Sequence, residues 1–516
     1  MATSFKTPGV YVYEENAFPN SAVAVETAVP VFIGYTQTAS RAGKSLLRVP
    51  TKIASFAEYV ELFGNGFKAK FNVGLAAPAS PPSSPPVAPA IQLDKITIVD
   101  DNTAYLYNSI RLFFANDGST CYILSVGTYG NDDTLTISGN DFIGGTTTVF
   151  DILEKEFEPT MIVMPDVIAL GASSYNTVYS SALLHCSNVQ SRIAIFDIRQ
   201  PESAQDTTDA LVEEFRGVSG IGTNNLNYGV AYFPWLKTEV VPTEEVDYRN
   251  ISNFWLIASS LATPNPTNDQ SIAATNSKLQ TVLTAFQNNT SPSADDIRNF
   301  HQSLVAASQT YKNVLAEIRS QLNVLPPSGA MAGVYTMVDN ARGVWKAPAN
   351  VSINLVDKPT INISDKEQEN LNVDVMAGKS INVIRPFPGI GTLVWGARTL
   401  DGNSDDWRYI NVRRTLIMIE QSLKLATRAY VFEPNDSGTW ITVKSMFTNF
   451  LTNLWKQGAL VGPTPDLAFS VQIGLGSTMT PDDILEGIMR ITVLVAVVHP
   501  AEFIAITFKQ QLQAAG

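Results

Sequence analysis

Two cysteines and three histidines are spread over 516 residues, and their scarcity removes several classes of protein at once. Cys121 and Cys186 cannot lay down a disulfide framework, so each is expected as a small buried apolar side chain in a reducing compartment. His185, His301 and His499 stand far apart and no CxxC accompanies them, so a metal centre has no ligand set to draw on. Charge is also thin, at 16% of residues against about a quarter in an ordinary globular chain. The balance is acidic, 48 Asp and Glu against 35 Lys and Arg, a formal net charge of −13. A broad basic footprint for nucleic acid is therefore not expected. A surface this neutral suits a chain that buries much of it against copies of itself.

No apolar run is long and clean enough to read as a membrane helix. The nearest, IMRITVLVAVVHPAEFIAITF at 488 to 508, is interrupted by Arg490, His499, Pro500 and Glu502. It reads instead as two strands joined at His499-Pro500. The opening MATSFKTPG has no apolar core of a secretory signal. With 45% hydrophobic residues and a mean hydropathy of +0.04, the composition is globular, with room for two or three domains.

Catalytic patterns fail one by one. RAGKS at 41 to 45 follows the apolar strand VPVFIGYT, and RIAIFD ends in Asp197 like a Walker B strand. A phosphate-binding loop needs a glycine five positions before Gly43 so that successive N–H groups can curl round the anion; that position is Thr38. Pro50 follows Ser45 within five residues, so no helix N-terminus can face the phosphates. GIGTLVWG and GVSGIG miss the dinucleotide fingerprint, and no serine sits in a GxSxG elbow. Asp405-Asp406 and Asp482-Asp483 are adjacent pairs whose side chains cannot share one cleft. No catalytic, cofactor-binding or metal-binding residue is assigned.

The patterns that are present describe an α/β chain. PTMIVMPDV and SRIAIFDI are apolar runs separated by a helical stretch around YSSALLHCSNV, which implies a parallel strand–helix–strand unit. NYGVAYFPWL is expected to extend the same sheet. Residues 76 to 90, AAPASPPSSPPVAPA, can form neither helix nor central strand and read as an exposed tether. Ile297, Phe300, Leu304, Ala307, Tyr311, Val314, Ile318 and Leu322 predict one long amphipathic helix within a helical insertion over 267 to 323. VLPPSGA at 324 to 330 interrupts the pattern and is taken as a domain boundary. Two further amphipathic helices follow, around RRTLIMIEQSLKLATRAYVF and VKSMFTNFLTNLWKQGAL, and TPDDILEG has the cap, proline and acids of a helix start.

The two ends of the chain are alike. Val10, Tyr11, Val12 and Tyr13 form a strand apolar on both faces, and no tight hairpin follows to pair it. AEFIAITFKQQ near the other end is again apolar on both faces. Such strands want partners on two sides.

TPGVYVYEE, VPVFIGYT, SIRLFFANDGSTCYILSVG, PPSGAMAGVYTMVDNARGVWKAPAN, INVIRPFPGIGTLVWGARTL, YVFEPNDSGTWITVKSMFTNFLTNLWKQGALVG and HPAEFIAITFKQQ, in this order, resemble the contractile sheath proteins of phage tails and extracellular contractile injection systems. The resemblance spans residues 7 to about 512 and is densest in the C-terminal third. A type VI secretion sheath, built from two chains, fits less well. Residues 67 to 100 and 267 to 323 have no counterpart in it and read as decorations facing outward.

The resemblance implies a mixed α/β fold: a sheath-type inner domain with exchanged terminal strands, and an outer α/β domain that carries insertions. In these terms residues 1 to 28 are a donated arm, 29 to 330 the outer domain, 331 to 498 the inner, tube-facing domain, and 499 to 516 a donated strand. Strand exchange between subunits would then use Val10, Tyr11, Val12, Tyr13, Phe503, Ile504, Ile506 and Phe508. Arg413, Arg414, Lys424 and Arg428 become candidates for a basic face toward the tube, with Trp395 and Arg398 buried in the inner sheet. The implied partners are further copies in a helical polymer, an inner tube protein, and baseplate and terminal cap proteins, with no nucleic acid and no membrane insertion. The implied life cycle is assembly in a bacterial cytoplasm and a final particle that is extracellular, a virion or membrane-anchored, the first being favoured. The alternatives are a nucleotide-dependent motor or switch with a degenerate P-loop, and another tail component.

Overall fold

The computed structural model describes residues 22–77, 88–99, 103–130, 135–200, 208–217, 220–263, 268–374 and 378–505. The chain divides into two compact units, one of residues 27–413 and a smaller one built from 414 onward together with the segment before 27. The boundary expected near 330 is therefore displaced to the helix Ile410–Thr427. Hydrogen bonding of the large sheet explains the shift.

That sheet has eight strands in the order Gly391–Trp395, Asn382–Phe387, Gly229–Phe233, Ile193–Asp197, Met161–Val163, Pro30–Thr36, Cys121–Thr128 and Thr51–Ile53. The inner six run parallel, and an antiparallel strand forms each edge. Pro30–Thr36 is buried at every position, as an apolar run covered on both faces must be. Val383 and Ile384, expected in a separate inner domain, are fully buried in this sheet. VLPPSGA leads directly into the buried helix Ser328–Arg342. This helix lies so close to Leu106–Ala115 that a Cβ on Gly333 would come within 2.7 Å of the Phe113 carbonyl oxygen.

Two buried aspartates fasten those helices to the sheet. Asp166, just past the strand Met161–Val163, accepts hydrogen bonds from the backbone N–H groups of Tyr35, Tyr105 and Leu106 at 2.8, 2.6 and 3.0 Å. It thereby satisfies donors at the start of the helix Leu106–Ala115 that would otherwise be orphaned. Gly34 has no side chain for this reason: a Cβ there would sit 2.3 Å from Asp166 Oδ2. Asp197, the residue that mimicked a Walker B acid, accepts from Ser328 N at 2.7 Å and Ser328 Oγ at 2.5 Å, anchoring the start of Ser328–Arg342.

The decorations prove to be one structure. Phe71–Leu75 and Ile91–Ile98 pair antiparallel on either side of the proline-rich stretch, of which residues 78–87 lie outside the described residues. Phe71, Val73 and Ile96 share a core with Leu279, Leu283, Phe300, Leu304, Tyr311, Val314 and Ile318 from the helices Gln270–Gln287, Ala294–Ala307 and Gln309–Leu322. The single long helix expected over 297 to 322 is thus two. Ser308 leaves helical geometry (φ −130°, ψ 113°), accepts from Tyr311 N and donates to the Leu261 carbonyl, capping the second helix while ending the first. The apolar period survives the break because the second helix keeps the same side inward.

Burial pushes the Asp166 carboxyl up to about 6 and the Asp197 carboxyl up to about 7, against the pull of their backbone donors. A folded-state pKa above the unfolded one gives a stability contribution that is full below about pH 4 and lost as pH rises through the folded value. These two groups therefore favour the fold more at pH 5 than at pH 8. Asp197→Ala is expected to strip Ser328 of its partner, at a loss on the order of 2–3 kcal/mol, and to reduce the pH 5-to-8 difference in urea midpoint. An unchanged midpoint in the variant would disprove the anchor.

Candidate assembly surface

In the smaller unit, the helix Ser437–Lys456 begins at Asp436, which accepts from Thr439 N at 3.0 Å. It buries the face predicted for it: Val443, Met446, Phe447, Phe450, Leu451 and Leu454. Against it packs a sheet of two antiparallel strands, Phe469–Ile473 and Ile491–Val495, with Phe469 opposite Val495 and Val471 opposite Val493. The turn between them is built by a capping box, Thr480 with Asp483, and Asp483 also takes a hydrogen bond from Arg490 Nε at 2.9 Å. The Thr480 and Arg490 donors hold the Asp483 carboxyl below its ordinary range.

A two-stranded sheet is marginal alone, and an open strand edge is a template for pairing. Among the described residues neither strand has a second ladder partner, although just past the second strand Leu460 bridges Val497 and Val461 N donates to the Ala496 carbonyl. One face of the second strand is open as well, with Leu494 57% exposed. After Val497 the chain runs through 498–505 without joining any strand, and Phe503 and Ile504 stand 74% and 79% exposed. The expected C-terminal strand is thus not formed within the described part of its own subunit. Ile506 and Phe508 lie outside the described residues, as do Val10, Tyr11, Val12 and Tyr13. The root of the N-terminal arm belongs to the same unit: Val25 N donates to Ser422 Oγ at 3.0 Å.

The basic face does not survive as drawn. Arg413 is 3% exposed, its guanidinium 4.1 Å from the Tyr228 ring and 4.6 Å from the Trp407 ring. Arg414 is 4% exposed. A planar, weakly hydrated guanidinium stacks on aromatics readily, so an Arg-Arg doublet need not mark a surface. Lys424 and Arg428 are exposed. Arg398 is buried as expected, but Trp395 is not: it is 39% exposed, its ring 4.5 Å from Phe387. RAGKS forms an exposed hairpin, Ser40–Arg41 against Lys44–Ser45, turning through Ala42 (φ 49°) and Gly43 (φ 80°). A two-residue turn cannot cradle a phosphate. Among the described residues no cluster of His, Cys, Asp and Glu could hold a metal, and no helix is long and apolar enough to cross a membrane.

The chain thus combines an eight-stranded α/β body with a small unit whose two-stranded sheet has open edges among the described residues. Residues 403–511 match the family model of the phage tail sheath C-terminal domain. The tail sheath proteins of Vibrio phage KVP40 and Burkholderia phage BcepMu are 25% and 28% identical over 136 and 142 residues, 26% and 27% of this chain. Those stretches span only 20% and 29% of the relatives' own length. Likeness to solved structures runs the whole length. A chain from the contracted sheath complex of the PVC extracellular contractile injection system is 26% identical with a TM-score of 0.60, covering 99% of both chains. One from the contracted helical sheath of the anti-feeding prophage is 26% identical with a TM-score of 0.58, covering 98% of this chain and all of the other. Fold and sequence together support a contractile tail sheath protein.

Because the Phe503 and Ile504 side chains are exposed, replacing both by alanine should shift the unfolding midpoint of the monomer by about a degree at most, since exposed positions change stability by less than about 0.5 kcal/mol. Differential scanning calorimetry reads this directly, and a drop of several degrees would show that the two side chains pack on their own subunit.

Proposed function

We propose that the chain is the structural, non-enzymatic subunit of a contractile sheath, which polymerises helically around an inner tube and shortens to drive that tube through a target envelope. The observation that carries this reading is the unfinished two-stranded sheet, in a unit from which both terminal segments depart. An arm donated by one copy would add a strand to the open edge of the next and gain a full ladder of backbone hydrogen bonds. The exchange is head-to-tail, and head-to-tail contacts that do not close generate helical polymers. Full-length likeness to chains of two contracted sheaths supports it. Energy in such a device resides in subunit packing, so it needs no nucleotide site.

The same reading supplies the partners. Copies of the chain form the wall, and a baseplate partner agrees with the likeness to a chain in the anti-feeding prophage baseplate. An inner tube protein fills the lumen and a cap protein ends the polymer. Lys424 and Arg428, exposed on the smaller unit, are what remains of the candidate tube-facing charge. The subdomain of 67–98 and 241–322 lies on the outside of the wall, where an insertion leaves the lattice undisturbed. Assembly takes place in a bacterial cytoplasm and the finished particle acts outside it.

Negative-stain microscopy of the purified chain should show long hollow tubes of uniform width, and versions lacking 1–20 or 502–516 should give none. Tubes from both truncations would place the cohesion elsewhere and sink the strand exchange. Lys424→Glu with Arg428→Glu should leave sheath-only tubes intact while cutting co-sedimentation of the inner tube protein several-fold. Undiminished co-sedimentation would remove the two residues from the tube contact.

A further inference from the structure

Between the helices Ile410–Thr427 and Ser437–Lys456 the chain makes a tight loop, Val431 to Asp436. Phe432 lies in it with φ +74° and its side chain fully exposed. Either feature alone is uncommon. A bulky side chain rarely takes the left-handed region, and such backbone persists only where its surroundings impose it. The surroundings do so here. Asn435 Nδ2 donates to the Ile488 carbonyl at 3.1 Å, and Asn435 Oδ1 accepts from Trp440 Nε1 at 2.7 Å. Asp436 is committed to capping its helix, and Pro434 restricts Glu433 to extended backbone. The loop is held firmly from behind, yet the ring it presents touches nothing that would compensate for its conformation in the free subunit.

We propose that Phe432 is an anchor that inserts into a second copy of this chain in the assembled sheath. The inference rests on the sheath reading above. Three observations choose a copy as the occupant. The chain carries a net charge of −13, so identical neighbours repel and their cohesion must come from neutral contacts. The loop offers one, with Val431 beside the ring 59% exposed. Second, the Asn435–Ile488 hydrogen bond ties the loop to the turn that feeds the strand Ile491–Val495. The anchor therefore adjoins the sheet on which neighbouring copies would build. Third, the full-length likeness is to chains packed against their own copies in helical sheaths. A rigidly presented aromatic beside a strand-exchange surface has the character of an interface hot spot.

The test uses the full chain with a photo-crosslinking benzoyl-phenylalanine in place of Phe432, irradiated in assembled particles, together with Phe432→Ala and Phe432→Gly. A crosslinked dimer of this chain is expected. Both substitutions should raise the critical concentration for tube formation about ten- to a hundredfold, the loss of one buried aromatic contact. The monomer's unfolding midpoint should hold in the alanine variant and hold or rise in the glycine variant, which relieves the backbone. Tubes that crosslink at 432 to another protein or to none, or that form as readily without the ring, overturn the contact and leave the sheath reading standing. A monomer midpoint that falls in both variants overturns it too, by giving the ring a role inside its own subunit. Absence of any polymer from the unsubstituted chain overturns the sheath reading and this contact with it.

Discussion

Every backbone N–H and C=O at a sheet edge needs a partner, and the two units meet that demand to different extents. The large sheet spans eight strands, and its Gly391–Trp395 edge is partly covered by Asn350, Val351 and Ser352. The small sheet stops at two strands, both edges without a further ladder among the described residues. Both strands of the small sheet are edge strands, against two of eight in the large one. Under the proposed strand exchange, that asymmetry makes the chain a repeating element, because a polymer needs a body that does not change and an edge open to pairing.

Much of this was legible in the sequence, and for a physical reason. Continuous apolar runs such as Val31 to Ile33 and Ile193 to Phe196 announce strands buried on both faces, and the helix of Val443 to Leu454 announces its inward stripe by period alone. What escaped reading depends on contacts between distant segments. Residues 67–100 and 267–323 appear as two unrelated insertions because nothing local in Val73 points to Leu279, yet they share one core. The sequence could set Asp197 aside as a magnesium ligand but could not show its anchoring role, because its partner is a helix start 131 residues away. The Arg413-Arg414 doublet misled because sequence shows charge without showing the rings of Tyr228 and Trp407 that receive it. The break at Ser308 was hidden because both helices keep one apolar face.

The identity of the unit boundary follows from the same distinction between local and distant signals. VLPPSGA carries the local marks of a linker, with two prolines and a glycine, and a local reading stops there. Its prolines instead precede a helix whose first N–H is received by Asp197 and whose glycines admit the backbone of Leu106–Ala115. Punctuation that elsewhere separates domains here permits close packing.

The buried carboxylates also bear on how force could pass through such a subunit. Asp166 and Asp197 each join the carboxyl end of a central strand to the start of a helix lying on the sheet, and the two helices meet without side chains at Gly329 and Gly333. A body fastened at these points resists internal shear, since sliding a helix would strand a buried charge-assisted bond. Where the N-terminal arm enters the body it is pinned as well: Thr27 Oγ1 donates to Asp339 Oδ2 at 2.6 Å, and the Thr27 carbonyl accepts from Thr160 Oγ1 at 2.7 Å. A rigid body joined to its neighbours through short extended segments changes its arrangement by rotation rather than by unfolding. On the proposed reading, the acid–amide bonds inside the body keep displacement out of the subunit, and exchanged strands let the lattice take it up without coming apart.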